Sequence, residues 1–336
     1  MTQYFLPVLY SLIQIFLLGS IGFILRRHAH WNKDVFSSIS LLLVKVTLPA
    51  MFITRMSSLN RSDLISGAFF PLYTFIVIGL SFLLSLFFAR VFRIPKSSRK
   101  VYLALSSFGN AGYIPLALVD ILMVTIPGFK EYFGSSLPYL YIGSFLLTYS
   151  PLLWSLGNSL VTGSTEKIRF KQFLTPPVLG ILIGFTLCLL GSGPLINNYS
   201  LPFHYIHGGL KTLGSVTSPL ILLVLGAMVG DLEFSKSFSK EDLKFALTPM
   251  FVRYLALPVS FLLLLKHVPF ISNLAPAILL ILFMEALIPP PANFSIMTKT
   301  AGRNEEETAL SILATYGAYL FMFPLYLMIF LKIIQF

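Results

Sequence analysis

The apolar positions of this chain fall into ten stretches, at 5–25, 35–54, 66–89, 101–124, 137–157, 177–192, 207–229, 243–265, 274–299 and 308–332. Most approach the roughly 20 residues that a helix needs to cross a bilayer. The pattern predicts an all-α polytopic membrane protein with ten transmembrane helices. The first stretch ends in Arg26-Arg27 with no small-residue cleavage site behind it, which predicts a retained span. The joints are short. The longest, 158–176, is basic and reads as a connector between two halves, 1–157 and 177–336.

The halves repeat. At an offset of 170, Pro7-Val8-Leu9 meets Pro177-Val178-Leu179, and Thr47-Leu48-Pro49 meets Thr217-Ser218-Pro219. Further on the offset drifts: Ser81 to Leu84 resembles Ser260 to Leu263, Pro115 aligns with Pro289 and Gly143 with Gly317. Five spans is an odd number, so the second half starts from the opposite side of the membrane. Two inverted five-helix repeats are a common plan of secondary transporters, which alternate access about a site between the repeats.

Two spans carry residues that a helix interior rejects. Span 4 reads Gly109-Asn110-Ala111-Gly112-Tyr113-Ile114-Pro115, and span 9 reads Glu285-Ala286-Leu287-Ile288-Pro289-Pro290-Pro291-Ala292-Asn293. Proline removes a backbone donor and clashes with the preceding turn, and glycine lowers helix preference. Both spans are expected to break and to cross at mid-depth. Non-helical backbone in a membrane is tolerated only where protein buries it or water reaches it, so paired breaks point to a binding site. The new helix N-termini suit an anion and the new C-termini a cation, so the breaks leave the sign of the ligand open. Asn110 and Asn293 can each donate and accept, as ligand contacts or as caps of their own half-helices.

Charge adds orientation. Sixteen Lys and Arg follow the odd-numbered spans and five follow the even-numbered ones or the last span. Both termini are therefore expected outside, with the connector in the cytoplasm. Within spans, Glu285 and Asp120 are candidates for proton or ion coupling, against pairing with Arg253 or Lys45. Lys45 is a further coupling candidate, against snorkelling to the surface, and Arg253 reads as structural. His204 and His207 have no Cys or Glu at metal-ligand spacing, and no nucleophile–base set suggests an enzyme. Composition agrees: 56% hydrophobic and 11% charged residues cannot clothe a soluble domain, and the net charge of +11 is explained by the basic loops without nucleic acid.

The motif from Gly109 to Leu118, the proline-rich break with Asn293 to Gly302, and Thr47-Leu48-Pro49 resemble the auxin efflux carrier family. That family includes plant PIN-type carriers and bacterial malonate or malate permeases. The resemblance covers the whole chain. It implies crossed broken helices beside a dimerising scaffold, an elevator-like movement, and export or exchange of small organic acids in the plasma membrane. The carried-over substrate contacts are Asn110 and Pro115 in the first crossover and Pro289 and Asn293 in the second; Gly109, Thr47 and Thr217 are further candidate substrate contacts. It implies a small organic acid, the lipid bilayer and a second copy of the chain as partners, a proton or sodium as candidate coupling ion, and no cofactor. Glu285 departs from plant members, where that place is uncharged. A sodium-coupled symporter of the bile-acid type and a non-transporting sensor on the same fold are the alternatives.

Overall fold

The computed structural model describes residues 2–29, 31–163, 174–232 and 239–336, and every element among them is helical. Lys167, Arg169, Lys171 and Lys236, counted above among the basic loop residues, lie outside the described residues. Six helical stretches are 22 to 31 residues long and apolar enough to cross a bilayer: Leu6–Arg27, Lys33–Ser57, Arg61–Val91, Pro202–Gly230, Lys240–His267 and Glu305–Ile333. Tyr113–Thr125, Pro176–Leu189 and Pro276–Leu287 are apolar but shorter. Leu6, Tyr10, Ile13, Phe16, Leu72 and Leu83 are each more than half exposed on the outer faces. Such a surface suits hydrocarbon and not water. The fifth stretch runs one turn beyond its expected end, because Asn158–Thr162 continues the helix into the connector.

Proline shapes the long helices without stopping them. Three π-helical turns, Leu43–Thr47, Leu153–Gly157 and Val252–Ala256, interrupt otherwise α-helical stretches. Two of them lie just ahead of Pro49 and Pro258. A proline cannot donate to the carbonyl four residues back and its ring crowds that carbonyl. The ladder slips by one instead: Leu48 N–H reaches the Leu43 carbonyl, and Leu257 N–H the Val252 carbonyl. The carbonyl that Pro258 leaves without its helical donor is that of Tyr254, and the Tyr326 hydroxyl donates to it at 2.7 Å. Tyr326→Phe removes that donor and strands a buried acceptor. We expect a loss of about 1–3 kcal/mol, read as a lower melting temperature of the purified protein in detergent.

Glycines bring four helices into backbone contact. The Thr2–Arg27 helix crosses Thr217–Gly230, and Pro176–Leu189 crosses Leu48–Ser57. A Cβ on Gly22 would stand 2.0 Å from the Leu223 carbonyl oxygen, and one on Gly226 would stand 1.9 Å from that of Gly19. At the other crossing, a Cβ on Gly180 would lie 2.6 Å from Pro49 Cα, and one on Gly184 2.6 Å from Met56 Cβ. Gly180 and Gly184, like Gly226 and Gly230, have the small-xxx-small spacing that lets membrane helices approach closely. Beside these four, Phe70–Val91 packs on Arg99–Ser107 and Leu137–Leu152, while Lys240–Phe251 packs on Glu305–Ile333.

Candidate functional site

Both expected interruptions are present and have the same length. Arg99–Ser107 ends, residues 108–112 are non-helical, and Tyr113–Thr125 begins. Pro276–Leu287 ends, residues 288–292 are non-helical, and Asn293–Ala301 begins. Phe108 and Ile288, the first residues of the two gaps, are both extended. The gaps meet: Asn110 N–H donates to the Pro289 carbonyl at 2.8 Å. The Tyr149 hydroxyl donates to the Gly109 carbonyl. Freed backbone groups are thus satisfied by the opposite gap and by a neighbouring helix, as a low-dielectric interior requires.

The structure corrects the role expected of Pro115. It does not open the first break. It is the third residue of Tyr113–Thr125, inside the first turn, where a helix asks nothing of its missing N–H. The break comes from Gly109, Asn110 and Gly112. Matching Ser107 with Leu287 and Tyr113 with Asn293 gives an offset of 180, so Gly109, not Pro115, corresponds to Pro289.

A cavity of about 560 Å³ lies against the two gaps. Its floor is Gly109 to Tyr113 and Pro291 to Asn293; Leu48, Phe52, Ile181, Leu225 and Met228 form the apolar wall opposite, and Trp154, Asn158 and Thr175 stand at the connector end. Among the described residues, none that lines it is Asp, Glu, Lys, Arg or His. Both gap segments on the floor lead directly into the N-termini of half-helices. Each such terminus carries roughly half a positive charge and unpaired N–H groups. The gap residues that line the cavity are those next to the half-helix N-termini, the ends whose partial charge favours an anion.

Asn110 stands at the centre. Its Nδ2 donates to the Tyr316 hydroxyl at 3.0 Å, and its Oδ1 accepts from Tyr113 N–H at 3.4 Å, so it also caps its own half-helix. One amide hydrogen and one lone pair remain for a ligand. Asn293 opens the second half-helix and lines the cavity with no capping bond of its own.

The other expected contacts are elsewhere. Pro289 contributes its carbonyl to the crossing but does not line the cavity, and Pro115 is buried off it. Thr47 turns its hydroxyl back to the Leu43 carbonyl at 3.4 Å, and Thr217 is fully buried; neither reaches the cavity. Lys45 is exposed, because the π-turn that contains it takes it off the buried side. Asp120 pairs with neither Arg253 nor Lys45. It accepts from the Tyr139 and Ser218 hydroxyls and pairs with Arg55 at 3.3 Å. Arg55 also lies 4.2 Å over the Tyr139 ring. Asp120 therefore ties Tyr113–Thr125 to the Leu48–Ser57 and Thr217–Gly230 helices. Glu285 is buried behind the second break, 3% exposed.

Sequence reasoning undervalued Arg253. It is 1% exposed, and a Cβ on Gly109 would come within 3.2 Å of its Nη1. The guanidinium thus backs the first break directly. An arginine inside an apolar span, five residues before a proline, was the available signal.

A family model described as "Membrane transport protein" matches the chain twice, over residues 7–169 and 159–328. Protein PIN-LIKES 4 of Arabidopsis thaliana is 25% identical over 169 residues, which is 49% of this chain and 41% of that protein. PIN-LIKES 5 of the same plant is 25% identical over 171 residues, with the same shares. An uncharacterised transporter of Schizosaccharomyces pombe is 27% identical over 121 residues, 36% of this chain and 27% of its own. These alignments span less than half the length of each relative. The two family matches together run from residue 7 to residue 328, across both broken helices and the cavity between them, and the chain belongs to this membrane transport family, that of the auxin efflux carriers.

Proposed function

We propose that the chain is a secondary active transporter that exports or exchanges small organic anions, carboxylates such as dicarboxylates or auxin-like acids, by elevator-type alternating access. The observation that carries this is the junction itself: two broken helices joined at Asn110 and Pro289, with two half-helix N-termini facing one uncharged cavity. Asn110 and Asn293 supply directional donors for a carboxylate, and the apolar wall accommodates the rest of an organic acid.

The proposed architecture is ten spans in two inverted repeats, 1–157 and 177–336, joined by 158–176. Two features support it. The family model matches once on each half. The first span packs on the seventh as the sixth packs on the second, and exchanging repeat-related spans turns one contact into the other. Spans 1, 2, 6 and 7 then form the scaffold, and spans 3–5 and 8–10 the moving body. The basic bias of the odd loops supports both termini outside. The cavity extends to Trp154, Asn158 and Thr175, which flank the connector, while Asp120 fastens the proposed moving body to the proposed scaffold.

The test is a thermal-shift screen of the purified protein against malonate and indole-3-acetate, with and without sodium, followed by flux into proteoliposomes. Stabilisation by a carboxylate and saturable flux are expected. Asn293→Ala is expected to weaken that carboxylate about tenfold, for one lost hydrogen bond to a charged group. A protein neither stabilised by nor permeable to any mono- or dicarboxylate would sink the reading.

A further inference from the structure

An arginine retained inside a membrane bundle for structure alone is expected to spend its donors on carbonyls and carboxylates, because unmet buried charge is costly. Arg253 does not. Its Nε and Nη2 are buried without a hydrogen-bond partner. It stands on the π-turn Val252–Ala256, against bare backbone: a Cβ on Gly109 would lie 3.2 Å from Nη1 and 3.5 Å from Nη2. Gly109 and Asn110 line the cavity on their other side. The guanidinium is therefore one layer of backbone behind the cavity floor. The Gly109 carbonyl, the nearest obvious acceptor, is already engaged by the Tyr149 hydroxyl.

No carboxylate neutralises it at close range. Glu285 is 3% exposed and its Oε1 has no hydrogen-bond partner, a burial that favours the neutral carboxyl over the ionised one. The ion pairs within 4.0 Å among the described residues are Arg26–Asp231 and Arg55–Asp120. A closed ion pair would cancel its own field. The unpaired guanidinium leaves a positive pole behind the first break. A guanidinium does not lose its proton in proteins, so the positive pole is permanent.

We propose that Arg253 is a specificity-determining residue: a fixed cation behind Gly109 that makes the cavity select anions. This deepens the anion-transporter reading and rests on it. Arg253 acts through the field and through the position of the Gly109–Asn110 backbone, without touching the ligand.

The experiment measures binding of malonate and of its neutral isostere malonamide to the full chain in detergent, with the unliganded melting temperature as a check on folding. For unit charges roughly 7 Å apart at an effective dielectric of about 20, Arg253→Gln is expected to weaken malonate about fifty-fold and to leave malonamide nearly unchanged. Arg253→Lys keeps the charge and is expected to stay within about fivefold of the parent. Glu285→Gln exchanges a buried neutral acid for a neutral amide and is expected to leave malonate nearly unchanged. Discrimination between malonate and malonamide is what a merely structural arginine would not produce, since its loss would then weaken both together. A folded Arg253→Gln protein that binds malonate like the parent overturns the proposal. So does a folded Arg253→Lys protein that weakens malonate and malonamide alike, which serves even where Arg253→Gln does not fold. A parent protein that binds no carboxylate overturns the anion reading itself, and the two failures are thereby distinct.

Discussion

Asn110→Asp is expected to reduce carboxylate binding by about 100- to 1,000-fold while leaving the protein folded. The substitution is nearly isosteric. The Tyr316 hydroxyl, which now accepts from the amide at 3.0 Å, can donate to a carboxylate instead, and the half-helix capping bond from Tyr113 N–H is kept. What changes is the charge on the cavity floor, which otherwise has no ionised side chain. A like charge about 4 Å from a bound carboxylate, at an effective dielectric of about 20, costs about 4 kcal/mol. Asn110→Ala removes only the donor, and its expected cost is about 1.5–3 kcal/mol. Calorimetric or thermal-shift titration of the two variants with malonate checks the order. Equal affinities for parent, Asn110→Ala and Asn110→Asp would mean that the ligand does not meet this side chain.

Gly226→Leu is expected to abolish the folded protein. Even a Cβ at this position would stand 1.9 Å from the Gly19 carbonyl oxygen, so the Thr2–Arg27 and Thr217–Gly230 helices must separate to admit it. The clash is with backbone, which cannot rotate away, and the crossing is secured by close packing in place of a hydrophobic drive. A loss above about 4 kcal/mol is expected, in the range reserved for overpacking that the structure cannot relieve. Gly79→Ala is the control. A Cβ there meets nothing within 4 Å, and its helix interior favours alanine by about 0.5–1 kcal/mol. Size-exclusion profiles and melting temperatures in detergent should therefore move in opposite directions for the two glycines. A monodisperse Gly226→Leu protein melting with the parent would mean that the crossing is looser than described.

The two breaks were legible because their causes are local. Glycine, asparagine and proline act on their own turn, so Gly109 to Gly112 and Pro289 to Pro291 announce themselves without knowledge of neighbours. What each proline does was less legible. Pro115 and Pro289 look alike in sequence, but one falls in a first turn that tolerates it and the other inside the gap. Register decides that, and register comes from where the preceding helix stops. The π-turns before Pro49 and Pro258 follow the same logic and were open to anticipation. Partners distant in sequence were not. Arg55 meets Asp120 from 65 residues away and Ser218 from 98, and no local rule selects them over Arg253 or Lys45. Arg253 was undervalued for the same reason, because its meaning depends on Gly109, which only the fold brings to it. Thr47 and Thr217 failed as cavity residues because a hydroxyl in a helix can turn to its own ladder or be buried off the cavity by a helix crossing, and periodicity cannot separate those cases from a contact with solvent.

Asp120 collects its ties to Arg55, Ser218 and Tyr139, from three different helices, at one carboxylate. On the alternating-access reading, that single clasp biases which compartment an idle carrier looks into. Cargo arriving from the connector side finds a vestibule ready, whereas cargo from the far side must wait for the rarer posture. Apparent affinity scales with the fraction of molecules in the competent posture. One pocket would then show two half-saturation concentrations, one for each face of the membrane. The carrier would rectify flow without any chemical difference between loading and unloading.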